Sequence, residues 1–262
     1  MKRFALLAFV VACSSKSAPP PPTSGSGSAA GAAVAEMKTD PTSVVGMADR
    51  TEHDKKLDPG RKPAEMLKFI DVKPGMHVAD LGAGSGYTTE LLARSVGPTG
   101  KVIAQDSPSW DGPDLKKLWV DRLARPGLAN TTHVMQAWET PLPADAKDLD
   151  AVVFNCAYHD VIGEKADVKK LDAAVFAALK PHGTFIVIDN TTKDGAGATE
   201  VEHLHRIEEK TVRADLEAAG FKFVSDASFL RNSDDTRDWN ADPDADKRTH
   251  TQDRFVLKFE KP

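Results

Sequence analysis

From residue 62 onward, short apolar runs alternate with longer stretches of helical spacing, and the alternation divides the chain into elements. Pro63 opens a helix with Met66, Leu67, Phe69 and Ile70 on its apolar side, and Lys73-Pro74-Gly75 breaks it. A strand follows at Met76 to Leu81, then a helix from Tyr87 to Val96 that Gly97-Pro98 closes. Lys101 to Gln105 reads as a second strand, Pro113 to Leu123 as a helix and Thr132 to Gln136 as a third strand. Asp150 to Phe154 carries the unbroken run Ala151-Val152-Val153-Phe154, the pattern of a strand covered on both faces. A helix over Lys165 to Leu179 keeps Val168, Leu171, Val175 and Leu179 on one side, and Thr184 to Ile188 is the fifth strand. Glu208 to Ala219 is a helix stopped by Gly220; Phe221 to Val224 and Arg254 to Phe259 are the last strands. Strands and helices in this rhythm predict one doubly wound α/β sheet. The segment from Arg231 to Gln252 is too long for a plain turn and is expected to be a substrate lid.

The first residues follow a different pattern. Lys2 and Arg3 precede a continuous apolar run from Phe4 to Ala12, and Cys13 comes next, the order of an export signal. A permanent membrane helix needs about 20 apolar residues, so this run is too short to be one. Val10-Val11-Ala12-Cys13 resembles a bacterial lipobox, which implies a lipid on Cys13 and, with Ser14 after it, an outer-membrane anchor facing the periplasm. Ser14 to Ala35 is almost all Ser, Pro, Gly and Ala and cannot pack a core. Met47 to Arg61 is rich in charge, and Pro59-Gly60 reads as a turn, so order is expected to begin near Lys62. The division is a signal segment at 1–13, a tether at 14–46 and one domain at 47–262.

Composition adds limits. Forty per cent hydrophobic and 28% charged residues suit one substantial core, and a net charge of -5 without a basic cluster argues against nucleic acid. With only Cys13 and Cys156, and Cys13 assigned to lipid, no internal disulfide is expected; Cys156 reads as a small buried hydrophobe.

The chemistry centres on Asp80-Leu81-Gly82-Ala83-Gly84-Ser85-Gly86. Glycines at alternate positions after a strand permit a sharp turn and direct contact between backbone and ligand. Asp106 stands twenty residues beyond Gly86, at the end of the second strand, where a carboxylate meets ribose hydroxyls in nucleotide-binding units. The G-x-G-x-G spacing departs from the dinucleotide fingerprint, which argues against an oxidoreductase. It resembles motif I of class I S-adenosylmethionine (SAM) dependent methyltransferases. Leu179-Lys180-Pro181-His182-Gly183-Thr184 and Leu216-Glu217-Ala218-Ala219-Gly220-Phe221 resemble joins of the same family. The resemblance implies a Rossmann-like, mostly parallel seven-stranded sheet of order 3-2-1-4-5-7-6, with SAM held by Asp80, Gly82, Gly84, Gly86, Asp106 and Asn155. It also implies that Trp138 or Glu139 meets the adenine, although Trp138 serves equally well as core.

Asn155-Cys156-Ala157-Tyr158 stands at the family's motif IV and is similar to the Asn-Pro-Pro-Tyr of amino methyltransferases, without the prolines. Tyr158, His159 and Asp160 are therefore the catalytic candidates, His159 as a base that Asp160 orients or as a loop histidine bonded to backbone. His203 and His205 are two apart on a helix and do not share a face, so no metal is expected. Asp242, Asp244 and Asp246 imitate a calcium loop, but Lys247 replaces the required glycine. Arg231, Asn232 and Trp239 either line an acceptor pocket or pin the long loop. The expected activity is methyl transfer from SAM to a small molecule or an envelope component. The alternative is a non-catalytic lipoprotein that uses the fold to bind a nucleoside-like ligand or partner.

Overall fold

Why the central strands are apolar on every position is visible in how they are covered. In a computed structural model that describes residues 40–242 and 251–262, Val152, Phe154, Phe185 and Val187 pack into one core, while Ala151, Val153, Ile186 and Ile188 pack into another. Successive side chains of a strand point to opposite faces, so each strand feeds both cores. The chain order is α1 (Pro41–Val45), α2 (Glu52–Arg61), α3 (Pro63–Ile70), β1 (His77–Leu81), α4 (Tyr87–Val96), β2 (Lys101–Asp106), α5 (Pro113–Leu123) and β3 (Thr131–Met135). It continues with β4 (Leu149–Asn155), α6 (Tyr158–Gly163), α7 (Val168–Ala178), β5 (Leu179–Asn190), α8 (Val201–Leu204), α9 (Glu209–Ala218), β6 (Lys222–Asp226) and β7 (Arg254–Glu260).

The seven strands lie in the order β3-β2-β1-β4-β5-β7-β6, as expected. β1 runs parallel to β2 and β4, and β7 pairs antiparallel with β5 and β6. One face is covered by α6, α7 and α9 through Val161, Leu171, Val175, Val212 and Leu216. The other is covered by α1, α3 and α4 through Val44, Met66, Leu67, Ile70, Leu91, Leu92 and Val96. Sequence order reverses between β1 and β4, and a crevice opens there at the carboxyl ends of the strands.

Order begins earlier than expected. Val44, assigned to the tether, is fully buried in the second core, and Pro59 and Gly60 lie inside α2 instead of forming a turn. Tertiary ion pairs override the local breakers: Arg50 grips Asp58 with two bonds of 2.7 Å, the Tyr87 hydroxyl donates to Asp58, and Arg122 bridges Asp54 to Glu90. Lys62 caps the helix in the left-handed region. The signal segment, Cys13 and the rest of the tether lie outside the described residues, as do Asp244, Asp246 and Lys247.

Candidate functional site

The three glycines after β1 do different work. Gly82, Gly84 and Gly86 all have positive φ, between 55° and 75°. A Cβ on Gly82 would lie 2.5 Å from that of Ala157, and one on Gly86 would meet Arg122 at 2.6 Å and Trp119 at 3.0 Å. Nothing lies within 4 Å of a Cβ on Gly84. Gly82 and Gly86 thus satisfy packing beneath the loop, whereas Gly84 leaves its space to the crevice. That crevice is a cleft of about 380 Å³ lined by the loop, Asp80, Thr88, Trp110, Asn155, Cys156, His159, Asp160 and His205, with Arg61, Arg254 and Asp242 closing its sides. Its size suits a small-molecule site.

Asp80 lies at the loop end of the cleft, almost wholly buried. Burial pushes its carboxyl up to about 7, against the hydrogen bond from Thr89, and the nearby Asp106 adds to the rise. Asp106 ends β2 as expected, but its carboxylate is turned away from the cleft. It is fully buried, and its carboxylate accepts from Gly84 N at 2.7 Å, His133 Nε2 at 2.9 Å and Trp119 Nε1 at 3.0 Å. It braces the glycine loop from behind and does not line the cleft. Asn155 does line it: Nδ2 donates to Thr88, while Oδ1 is buried with no partner.

Two further expectations change. Trp138 is buried and gives its indole N–H to Glu164 at 2.8 Å; the Glu139 carboxylate accepts from Asp167 N, and neither residue lines the cleft. The aromatic side chain beside the loop is Trp110, which packs edge-on against Trp138 with centroids 5.3 Å apart. Tyr158 points into the core, where its hydroxyl donates to Asp172 at 3.0 Å, because the first turn of α6 sends positions 158 and 159 in different directions.

His159 and Asp160 line the cleft from the first turn of α6. Asp189, at the end of β5 and fully buried, accepts from His159 N at 2.9 Å and pairs with Nδ1 at 2.7 Å. A carboxylate only accepts, so Nδ1 carries a proton and Nε2 faces Asp160 Oδ1 at 3.3 Å. Burial works against the imidazolium, yet Asp189, then Asp160 and Asp242, outweigh it and hold the pKa at about 9. In that state the ring gives hydrogen bonds and does not accept a proton, which departs from the expected base. His205 comes in from the end of α8 with φ 50°, and its Nδ1 lies 3.7 Å from Asp160 Oδ1. His203, beside it in sequence, is exposed and lies outside this group.

The side of the cleft nearest β7 is cationic. Arg254 pairs in register with Asn190, which brings the start of β7 to the carboxyl ends of the parallel strands. Its Nη2 donates to Gly60 O, and its Nε is buried without a partner. Arg61 lies beside it over the Tyr87 ring, and burial holds its pKa below the usual arginine range. Cys156, with φ 60°, also lines this side; burial pushes its thiol up, as suits an inert cysteine.

The long segment after β6 is pinned where it is described. Arg206, fully buried, binds Asp235 at 2.8 Å and lies over Trp239; Arg231 reaches Thr191 and Glu209. These contacts favour the pinning role over an acceptor pocket for Arg231, Asn232 and Trp239. Arg61, Trp110, His205 and Arg254 were not legible as site residues. The one signal for Trp110 was an aromatic four positions after Asp106; the others come to the cleft from distant elements.

Several known methyltransferases are similar to this chain in sequence or in fold. The family model of protein-L-isoaspartate(D-aspartate) O-methyltransferase matches residues 25–109, which include the glycine loop and Asp106. The ubiquinone/menaquinone biosynthesis C-methyltransferase UbiE of Ectopseudomonas mendocina is 29% identical over 123 residues, 47% of this chain and 45% of that protein. The arsenite methyltransferase of Halobacterium salinarum is 26% identical over 192 residues, 67% of this chain and 45% of that protein. The chain thus spans less than half the length of these relatives. A SAM-dependent methyltransferase from Aquifex aeolicus superposes with a TM-score of 0.57 at 21% identity, covering 86% of this chain and all of that one.

Proposed function

We propose that this chain, which has the class I SAM-dependent methyltransferase fold, transfers a methyl group from SAM to a small-molecule or cell-envelope acceptor. The observation that carries the reading is one cleft at the β1/β4 switch point lined both by the glycine loop with Asp80 and by His159 with Asp160. The residues present fit the cofactor's chemistry. Asp80 suits a cationic ammonium, the unpartnered Asn155 Oδ1 suits a donor, Arg61 and Arg254 suit a carboxylate, and Trp110 suits a flat base. When bound, SAM supplies an electrophilic methyl group on a sulfonium sulfur.

The chain's own task is then alignment and exclusion of water, which alone is worth several orders of magnitude for an in-line displacement. Gly84 keeps space clear against the backbone, and Asp106 holds that backbone in place. His159, fixed by two hydrogen bonds that it gives to Asp189, offers the acceptor a rigid donor, and Asp160 beside it accepts. In the same reading the protein sits in the cell envelope, anchored through lipid on Cys13 and facing the periplasm. The lipobox-like run and the Ser/Pro/Gly/Ala tether support this.

Calorimetry of SAM with the full chain tests the reading. Saturable binding that Gly84→Val abolishes is the expected result, and no heat with the unmutated chain would leave the non-catalytic alternative. With an acceptor found by screening for S-adenosylhomocysteine release, His159→Ala should lower kcat while SAM affinity stays unchanged; equal turnover removes His159 from the acceptor end. Fractionation of wild type and Cys13→Ser tests anchoring, and a wholly cytosolic wild-type protein would overturn it.

A further inference from the structure

We propose that His159, Asp160 and His205 form a binding site for a divalent first-row transition-metal ion at the acceptor end of the cleft. The three offer one ligand atom each, all within 4.8 Å of one another. His159 Nε2 is 3.3 Å from Asp160 Oδ1, and His205 Nδ1 is 3.7 Å from the same oxygen. Ligand atoms on a tetrahedral ion with bonds of about 2.0–2.2 Å lie about 3.3–3.6 Å apart, so the first separation fits and the second is slightly long. The third, between the two rings, is within 4.8 Å, and the ion would have to draw the half-buried His205 ring inward.

The second observation is the partner behind the ring. Asp189 is fully buried and accepts the hydrogen bond from Nδ1–H of His159, the carboxylate–histidine arrangement that fixes the ring and aims Nε2 at an ion. It also accepts from His159 N and Asn190 N, so the supporting carboxylate is itself held in place. Nε2 faces Asp160 Oδ1, and an ion arriving between them displaces the proton that Nε2 otherwise carries. His205 is held with φ 50°, a left-handed conformation that non-glycine residues rarely adopt.

Two imidazoles and one carboxylate favour zinc or another first-row ion over magnesium or calcium, which take oxygen ligands. Three protein ligands leave an open position on the cleft side, which suits an acceptor that binds through an oxygen or a sulfur. The site stands independently of SAM binding, because its ligands include neither Asp80 nor the glycine loop.

The test is titration of the chelator-stripped full chain with Zn²⁺ alone and with Co²⁺ alone. One saturable site is expected, and His159→Ala, Asp160→Asn and His205→Ala should each weaken it at least tenfold. Asp189→Asn should weaken it about 10- to 100-fold, the usual effect of losing such a support, while His203→Ala leaves it unchanged. In the unmutated chain, Co²⁺ should shift the ring-proton resonances of His159 and His205, a readout that no variant's folding can spoil. Absence of a saturable site, or shifts on the exposed His53, His182 or His203 instead, would overturn the proposal. SAM calorimetry on the same stripped protein separates the two readings: SAM bound where metal is not overturns only the metal site.

Discussion

Asp80→Asn isolates a single charge at the loop end of the cleft, and its effect can be worked out in advance. The Asp80 carboxyl has its pKa raised from 3.8 to about 7, chiefly by burial. It is therefore about 90% ionised at pH 8 and about 10% ionised at pH 6. A cationic ammonium beside it binds the ionised form, so SAM affinity should rise about tenfold from pH 6 to pH 8 and level off above. His159, held at about 9, stays protonated across that window and contributes no competing slope. Asparagine keeps an oxygen for the Thr89 hydroxyl but has no charge. Losing a charged hydrogen bond costs about 1.5–3 kcal/mol, so affinity at pH 8 should fall about 10- to 100-fold and the pH dependence should vanish. Calorimetry at pH 6, 7 and 8 in buffers of different ionisation enthalpy reads both the affinity and the proton released. A wild-type affinity that is flat over this range, or an Asp80→Asn protein that keeps the slope, would refute the reasoning.

Other outcomes follow from the same geometry. Gly84→Ala has room for its methyl group and bears only the left-handed backbone cost of about 1–2 kcal/mol, yet it should abolish SAM binding. Gly82→Ala forces a contact with Ala157 and should destabilise the fold by about 2–5 kcal/mol in urea titration; equal stability of the two variants would contradict this division of labour. Asp172 is buried with Oδ1 unpartnered and its pKa raised to about 7, so its folded form holds a proton that the unfolded form releases near pH 4. Stability should therefore decline between about pH 4 and pH 7, and Asp172→Asn should remove part of that decline and gain about 1–3 kcal/mol at pH 8. Asp106→Ala strands three donors and should cost about 2–4 kcal/mol, weakening SAM and its 2′-deoxy analogue alike; a loss confined to SAM would restore the direct ribose contact.

Most of the fold and half of the cleft were legible in the sequence, for one physical reason. Period and punctuation are local, so β1, β4, β7 and α5 fall within a residue or two of their expected limits, and the glycine spacing marks the loop. Local signals failed at α2, where Pro59-Gly60 reads as a turn until the pairs Arg50–Asp58 and Arg122–Asp54 are formed by residues from α5 and the segment before α2. The direction in which a side chain points was equally hidden. Asp106 sits at the expected position, but Trp119 and His133, from α5 and β3, claim its carboxylate. Tyr158 and His159 are neighbours in sequence, yet one faces the core and the other the cleft.

The sequence by itself determined the alternation of strands and helices, the sheet that follows from it and the ligand loop after β1, because each depends on residues close together in the chain. Only the tertiary structure decided which charges meet. His159 gains Asp189 from thirty residues away and His205 from beyond α8, and Arg254 reaches the cleft because β7 runs antiparallel beside β5. Such contacts depend on sheet register and strand direction, which bring together groups that no spacing along the chain relates.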